Sequence, residues 1–335
     1  MSELLIHNLH VDVDGKEILK GLNLHVKRIF YAYDTNKDKL PGKSVDGQDL
    51  VASVSGKNIS AEDVYKDLKN SMGGSVMYLY FERAVVDQSV DTTSKLKEEA
   101  QTKAKAYRQQ VEAQYGTDTD EFLRKGLNSI GYGADELEDY FLHYLKVDKL
   151  TNSYIEKHLK KLFEPIYKEK NPRVVSHILI KMEDPKNPTE KELKKVKKVE
   201  DALAKGEDFA KVAKKYSDDA GSKAAGGNLG YADTDTSFVQ AFKDKAFAMK
   251  EGEVSDWVQV SSTDYNGWHK IKIDETDMNT IMKDKNAKEG LYKAIQTANP
   301  EMRSTIIWEQ AKKLKIDFKD KELKKALMDY MGIKE

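Results

Sequence analysis

The chain has 335 residues, of which 34% are charged, and its 56 Lys and Arg against 57 Asp and Glu leave a net charge of −1. Such balance gives no general attraction to nucleic acid or to an anionic membrane. Cysteine is absent, which excludes disulfides, thiolate catalysis and cysteine-bound metal.

Residues 1–29 alternate apolar and polar side chains around Asp14-Gly15 and read as a β-hairpin with a tight turn. They lack the basic start, apolar middle and small-residue cleavage site of a signal peptide. No apolar run approaches the ~18 residues that a membrane helix requires. Residues 30–49 are polar, contain Pro41 and read as a linker. LVASVSGKNIS (50–60) is strand-like, and Ser60 with Asp63 three residues on predicts a capped helix start.

From there to about residue 170 the pattern is mostly helical. Leu137, Tyr140, Phe141, Tyr144 and Leu145, then Ile155, Leu159 and Leu162, fall at helical spacing. The plainer reading is an ordinary core stripe; the other is an aromatic groove for unfolded chains. Asn171-Pro172 marks a break. RVVSHILIK (173–181) reads as a strand, residues 190–204 and FAKVAKKYS as helices, and SFVQAFKDKAFAMK (237–250) as another helix. EGEVSDWVQV and NGWHKIKI (266–273) read as strands. The order β-α-α-loop-α-β-β predicts an α+β domain. Helices resume near residue 286, interrupted by KIDF (315–318), expected as a short strand.

Four glycines punctuate YSDDAGSKAAGGNLGY (216–231). A phosphate loop needs G-x-x-x-x-G-K-[ST], whose backbone N–H groups surround phosphate while Lys meets its outer oxygens. This stretch has no such ending. Gly42-Lys43-Ser44 has one, but Lys37 stands where the first glycine is required. Nucleotide binding is therefore not expected at either place. Asp218 and Asp219 precede the glycines, and His177 and His269 lie on the two bracketing strands. Antiparallel pairing of those strands would bring both imidazoles and a carboxylate together. As a metal site three ligands so scattered are a weak signal, and a lone histidine is more often structural.

SHILIK, YSDDAGSKAAGGNLGY, FVQAFKDKAFAMKEGEVSDWV and NGWHKIKI resemble, in order and spacing, the parvulin family of peptidyl-prolyl cis-trans isomerases over about 172–274. With the flanks VSGKNISAEDVYKDL and KIDFKDKELKKAL, residues 50–335 resemble the PrsA family of Gram-positive extracytoplasmic foldases. The resemblance implies a parvulin domain, a small antiparallel sheet with surrounding helices, at 172–274. It would be inserted in a mostly helical SurA-like chaperone domain formed by 50–171 and 275–335.

The same resemblance implies non-covalent catalysis of X-Pro rotation at His177, Asp219 and His269. Leu229, Phe238, Phe242 and Asn266 would bind substrate, with no metal and no cofactor. Phe238 stands where many relatives have Met, and Asn266 where some have Ser, after a longer SSTDY segment. Implied partners are unfolded or partly folded exported polypeptides with X-Pro bonds, neither nucleic acid nor nucleotide, and a second copy in a homodimer. The implied place is the outer face of the cell membrane or the medium, although this chain shows no signal peptide or lipid-accepting Cys. KMEDPKNPTEKE mixes both signs of charge after His177, so no preference for phosphorylated substrates is expected. A rival reading is an inactive parvulin-fold holdase that only grips clients. MSELLIHNLHVDVDGKEILKGLNLHV resembles the first strands of an ABC-type ATPase of iron–sulfur assembly. It stops before any Walker motif and is read as a stub joined to the foldase body.

Overall fold

The computed structural model describes residues 4–13, 16–26, 44–45, 48–54, 57–133 and 135–334, with side chains from Ile59 onward, Leu68 excepted. Strands β1 (Leu4–Val13) and β2 (Lys16–Val26) form an antiparallel hairpin in which Val13 faces Lys16. The predicted Asp14-Gly15 turn itself lies outside the described residues. Strand β3 (Ser44–Val45) pairs with β4 (Gln48–Val54), which pairs with β5 (Lys57–Ser60). Pairing thus begins inside the stretch expected as a linker, most of which lies outside the described residues. The expected single strand at 50–60 falls across two strands.

Helix α1 (Ala61–Ser89) opens on the predicted cap. Ser60 Oγ accepts from Asp63 N at 3.0 Å, and the Asp63 carboxylate accepts from Ser60 N at 3.4 Å. Helices α2 (Ser94–Tyr115), α3 (Thr119–Asn128) and α4 (Leu137–Lys170) follow. Helix α4 stops at Asn171, whose φ of 46° leaves the helical region, because the residue before a proline is disfavoured there. Then come β6 (Arg173–Lys181), α5 (Glu190–Ala204), α6 (Phe209–Tyr216), β7 (Asn228–Ala232), α7 (Gln240–Ala248), β8 (Val258–Val260) and β9 (Gly267–Glu275). The chain finishes with α8 (Met278–Ile281), α9 (Lys288–Ala298), α10 (Met302–Lys313) and α11 (Lys321–Met331).

These elements fall into two compact units, residues 149–306 and the remainder, 1–148 with 307–335. In the latter, α1 packs on α11. A Cβ on Gly74 would strike the Ala326 carbonyl and one on Gly73 would lie 3.3 Å from Leu323, so the paired glycines set how closely the helices approach. Lys69 Nζ meets Asp320 at 2.9 Å and Glu322 at 2.7 Å in the first turn of α11. Leu123, Leu127, Leu137, Tyr140 and Phe141 share a core, while Tyr144 is exposed. The stripe read from the sequence is therefore core apart from Tyr144, with Leu145 buried and Ile155, Leu159 and Leu162 in a second core. Residues 315–318, expected as a strand, are not one. Lys315 has φ 56°, and Phe318 turns its ring onto Phe81 and Trp308. No strand among the described residues lies alongside to complete the pairing that a strand requires.

The other unit centres on a four-stranded antiparallel sheet in the order β7-β6-β9-β8. Ile178 and Ile180 of β6 face α5 and α6, packing with Val196, Val199 and Val212. The opposite face, with Val175, Ile271 and Ile273, is covered by Phe242 and Ala246 of α7. A separate core joins Ile155, Phe163 and Ile166 of α4 to Leu291 and Ile295 of α9. Strand β7 is not predicted: Asn228-Leu229-Gly230 has poor strand propensity, and pairing with β6 overrides it. The strand expected across EGEVSDWVQV shrinks to Val258–Val260, with only a bridge between Val254 and Lys272 before it.

Candidate active site

Antiparallel register sets the first two functional side chains. His177 on β6 faces Ile271 on β9, and His269 faces Leu179. The two histidines are thus diagonal neighbours on one sheet face, within reach of each other. Their rings stack with centroids 5.3 Å apart and Nδ1 atoms 3.1 Å apart. Both are buried. Helix α7 lays Phe242 edge-on to both rings, 5.8 Å from His177 and 5.5 Å from His269. Phe238 packs on Phe242 at 4.9 Å, and half-buried Leu229 joins the same apolar cluster. Phe242 therefore lies beside the imidazole pair, and Phe238 and Leu229 extend the apolar cluster around it.

The glycine loop supplies the carboxylate. It grips β6 through Asp218 N, which donates to the Leu179 carbonyl at 2.7 Å, and through the buried Ser217 Oγ, which accepts from Leu179 N at 3.2 Å. Asp218 points away from the histidines, accepting from Lys181 N at 3.1 Å and pairing with Lys195. Asp219, one residue on, points inward, with Oδ2 2.8 Å from His177 Nε2. Its carboxylate also accepts from Gly221 N at 3.1 Å, from Ser222 N at 3.2 Å and from the Ser222 hydroxyl. Further along, the Gly227 carbonyl accepts from His177 N at 2.8 Å. Gly227 has φ 81°, and a Cβ there would collide with the His177 carbonyl. The glycines are needed for this close return to β6, not for phosphate.

A carbonyl only accepts, so His269 Nε2–H donates to the Tyr265 carbonyl at 3.0 Å. His269 Nδ1 then faces His177 Nδ1, and His177 Nε2 faces Asp219 and Ser222. Burial pushes His269 down to about 4, opposed by its bond to Tyr265. Burial likewise lowers His177, opposed by Asp219. For Asp219 burial acts upward, but the hydrogen bonds from Ser222, His177 and Gly221 outweigh it and hold the carboxyl at about 2.

Six of the seven residues picked from the sequence thus meet in one cluster. The seventh, Asn266, donates its amide to the carbonyls of Met182 at 2.8 Å and Glu183 at 2.9 Å, anchoring the turn after β6. Three further partners are not legible from residue type alone: Ser217, Ser222 and the Tyr265 carbonyl. The two serines flanking Asp219 are a signal of a kind, since Ser and Asp compete for nearby backbone N–H groups in tight loops. Among the described residues no group of three or more His, Asp or Glu could hold a metal ion.

Strand order and the paired histidines beside a phenylalanine wall place the domain in the parvulin class of prolyl isomerases. Residues 158–277 match the PPIC-type PPIASE domain family. Foldase protein PrsA of Clostridium botulinum (strain Langeland / NCTC 10281 / Type F) is 30% identical over 287 residues, covering 82% of this chain and 79% of that protein. Foldase protein PrsA of Geobacillus kaustophilus (strain HTA426) is 28% identical over 288 residues, covering 85% of this chain and 91% of that protein. Among solved structures, PrsA from Bacillus subtilis is similar at 26% identity, covering 83% of this chain and 97% of that chain, with a TM-score of 0.47. The chain belongs to the PrsA foldase family. It is a peptidyl-prolyl cis-trans isomerase and chaperone, and its partners are unfolded protein clients outside the cytoplasm.

Proposed function

We propose that His177, Asp219 and His269 form the polar floor of the isomerase site, and that Leu229, Phe238 and Phe242 hold the prolyl ring of an X-Pro bond. Rotation about a peptide bond faces ~18–20 kcal/mol because resonance is lost in the twisted state. Uncatalysed X-Pro exchange takes ~10–100 s at 25 °C. An apolar pocket desolvates the imide and favours its less polar twisted form. A floor already fixed by hydrogen bonds stabilises that geometry without reorganising. No bond is made or broken, so the engaged Asp219 carboxylate need not act as a nucleophile.

The observation that carries this reading is Phe242 lying edge-on to both imidazoles, which gives pocket and floor a common wall. Asn266 acts from the rim, holding the turn after β6. The test is acceleration of cis-to-trans conversion in Ala-X-Pro-Phe peptides by the full chain, with Phe242→Ala and His269→Ala beside it. Each variant is expected to lower kcat/KM by about tenfold or more, ~1.4 kcal/mol of lost transition-state stabilisation. A wild-type rate equal to the uncatalysed one would favour the inactive holdase instead.

On the same reading the clients are exported polypeptides carrying X-Pro bonds, met at the outer membrane face or in the medium. Residues 172–274 are the catalytic insert, and 50–171 with 275–335 build the chaperone domain, which a second copy completes as a homodimer. Sedimentation of the full chain over a concentration series tests the dimer: a monomer throughout would remove it.

A further inference from the structure

We propose that Asp233 is a positioning residue for substrate binding: its buried carboxylate shapes the turn between β7 and α7 so that Phe238 stands beside Phe242 in the prolyl pocket. This rests on the pocket reading above and deepens it.

The turn has little stiffness of its own. Residues 233–237 read DTDTS, with neither glycine nor proline to fix the backbone. Helix α7 gives no help, because its N-terminal flanking residue is Val239, which makes no side-chain cap. Phe238 lies between the two, so its direction has to come from bonds made within the turn.

Asp233 provides them. It is 7% exposed, and a buried carboxylate is costly unless hydrogen bonds satisfy it. Three donors do so. Asp235 N at 2.9 Å and the Thr236 hydroxyl at 3.4 Å reach Oδ1, and the Tyr231 hydroxyl reaches Oδ2 at 2.9 Å. Thr236 Oγ accepts in turn from Asp233 N at 2.9 Å, and the Asp233 carbonyl accepts from Thr236 N at 3.0 Å. The Thr236 carbonyl then accepts from Phe238 N at 2.8 Å. An unbroken series of bonds therefore runs from Asp233 to the backbone of Phe238, whose ring lies 4.9 Å from that of Phe242.

The other end of the series is fixed in a packed core. The Tyr231 ring meets Phe163 of α4 at 6.2 Å, and a Cβ on Gly290 of α9 would lie 2.9 Å from Tyr231 Cβ. Tyr231 thus has little room to shift. Thr234 N adds a second anchor, donating to the Lys170 carbonyl at the end of α4 at 3.0 Å. The Tyr231 hydroxyl hands the position of this core to Asp233, and Asp233 hands it to the pocket.

The experiment uses the full chain and the Ala-X-Pro-Phe peptides. KM and kcat come from the isomerase assay, and peptide Kd from an NMR titration followed at the His177 and His269 Cε1–H signals. Asp233→Ala is expected to raise KM and Kd about three- to tenfold, the scale of the hydrogen bonds lost. Its kcat should stay within about twofold of wild type, since the change removes binding shared by ground and transition states. Thr236→Val keeps the side-chain shape without the hydroxyl and should weaken binding in the same sense, which covers the case of a poorly folded Asp233→Ala. Asp233→Asn keeps an acceptor for Asp235 N and Thr236 and should bind nearly as wild type does. In a Phe238→Ala background neither Asp233→Ala nor Thr236→Val should weaken binding further, because both act through that ring. An unmoved Kd in folded Asp233→Ala or Thr236→Val overturns the proposal. So does Asp233→Asn binding as weakly as Asp233→Ala, or a full additional loss in the double variants. A Kd unchanged by Phe238→Ala alone removes the pocket reading, and the proposal with it. Kd does not depend on turnover, so an inactive enzyme leaves the test intact.

Discussion

Adjacent aspartates of the glycine loop show how little residue type says about role. Asp218 faces outward, tying Lys181 N and Lys195 to the loop, while Asp219 turns in to His177. The difference comes from the bond between Asp218 N and the Leu179 carbonyl, which makes the loop alternate like a strand beside β6. His177, Asp219 and His269 were legible as a group because their strands bracket the loop. Ser222 was not, because a serine in a polar loop looks like any turn residue until its neighbours are known. Gly227 carries the sharpest prediction at this scale. Gly227→Ala forces a side chain into the left-handed region and against the His177 carbonyl. It should cost on the order of 2–4 kcal/mol, seen as a lower urea midpoint, and remove most isomerase activity. A variant as stable and active as wild type would show that the loop does not need its close return.

Among the elements, β6 is buried on both faces because helices cover both. Its largely apolar residues made it easy to read, and its predicted bounds are the observed ones. Strand β7 was hidden for the opposite reason: it owes its existence to β6, not to its own residues. Helix α7 depends on a distant residue as well. The buried Arg173 donates to the Ala246 carbonyl and, at 3.2 Å, to the Met249 carbonyl, with its guanidinium 4.4 Å over the Phe247 ring. A cation at a helix C-terminus satisfies carbonyls that the helix leaves open. Arg173→Ala should lower stability by about 1–3 kcal/mol, measured by urea unfolding. Because α7 carries Phe242, its KM should rise more than its kcat falls. An unchanged KM would separate the cap from the pocket.

For the molecule as a whole, near-neutral net charge leaves stability to local groups, and acid should test them in sequence. His269 is held at about 4 and His177 is lowered too, so the unfolded chain binds protons first as pH drops below the ordinary histidine value of ~6.5. Stability from the pair is therefore complete above that value and is lost as pH falls toward about 4. Asp219, held at about 2, contributes above the ordinary aspartate value of ~3.9 and loses its contribution below it. Urea midpoints should fall steadily from pH 7 to 4, and the slope should flatten in a His177→Gln/His269→Gln variant. A pH-independent midpoint in wild type would contradict the buried neutral pair.

By itself the sequence determined the helices, the capped start at Ser60, the break at Asn171-Pro172 and the strands carrying both histidines, because these follow from local spacing and backbone chemistry. Only the tertiary structure decided that Asp219 rather than Asp218 meets His177, that Ser222 reaches both Asp219 and His177, that Asn266 bonds to the turn after β6, and that residues 315–318 are not a strand. Each of those depends on which backbone groups lie alongside, and hydrogen bonds between distant segments exist only once the chain has folded.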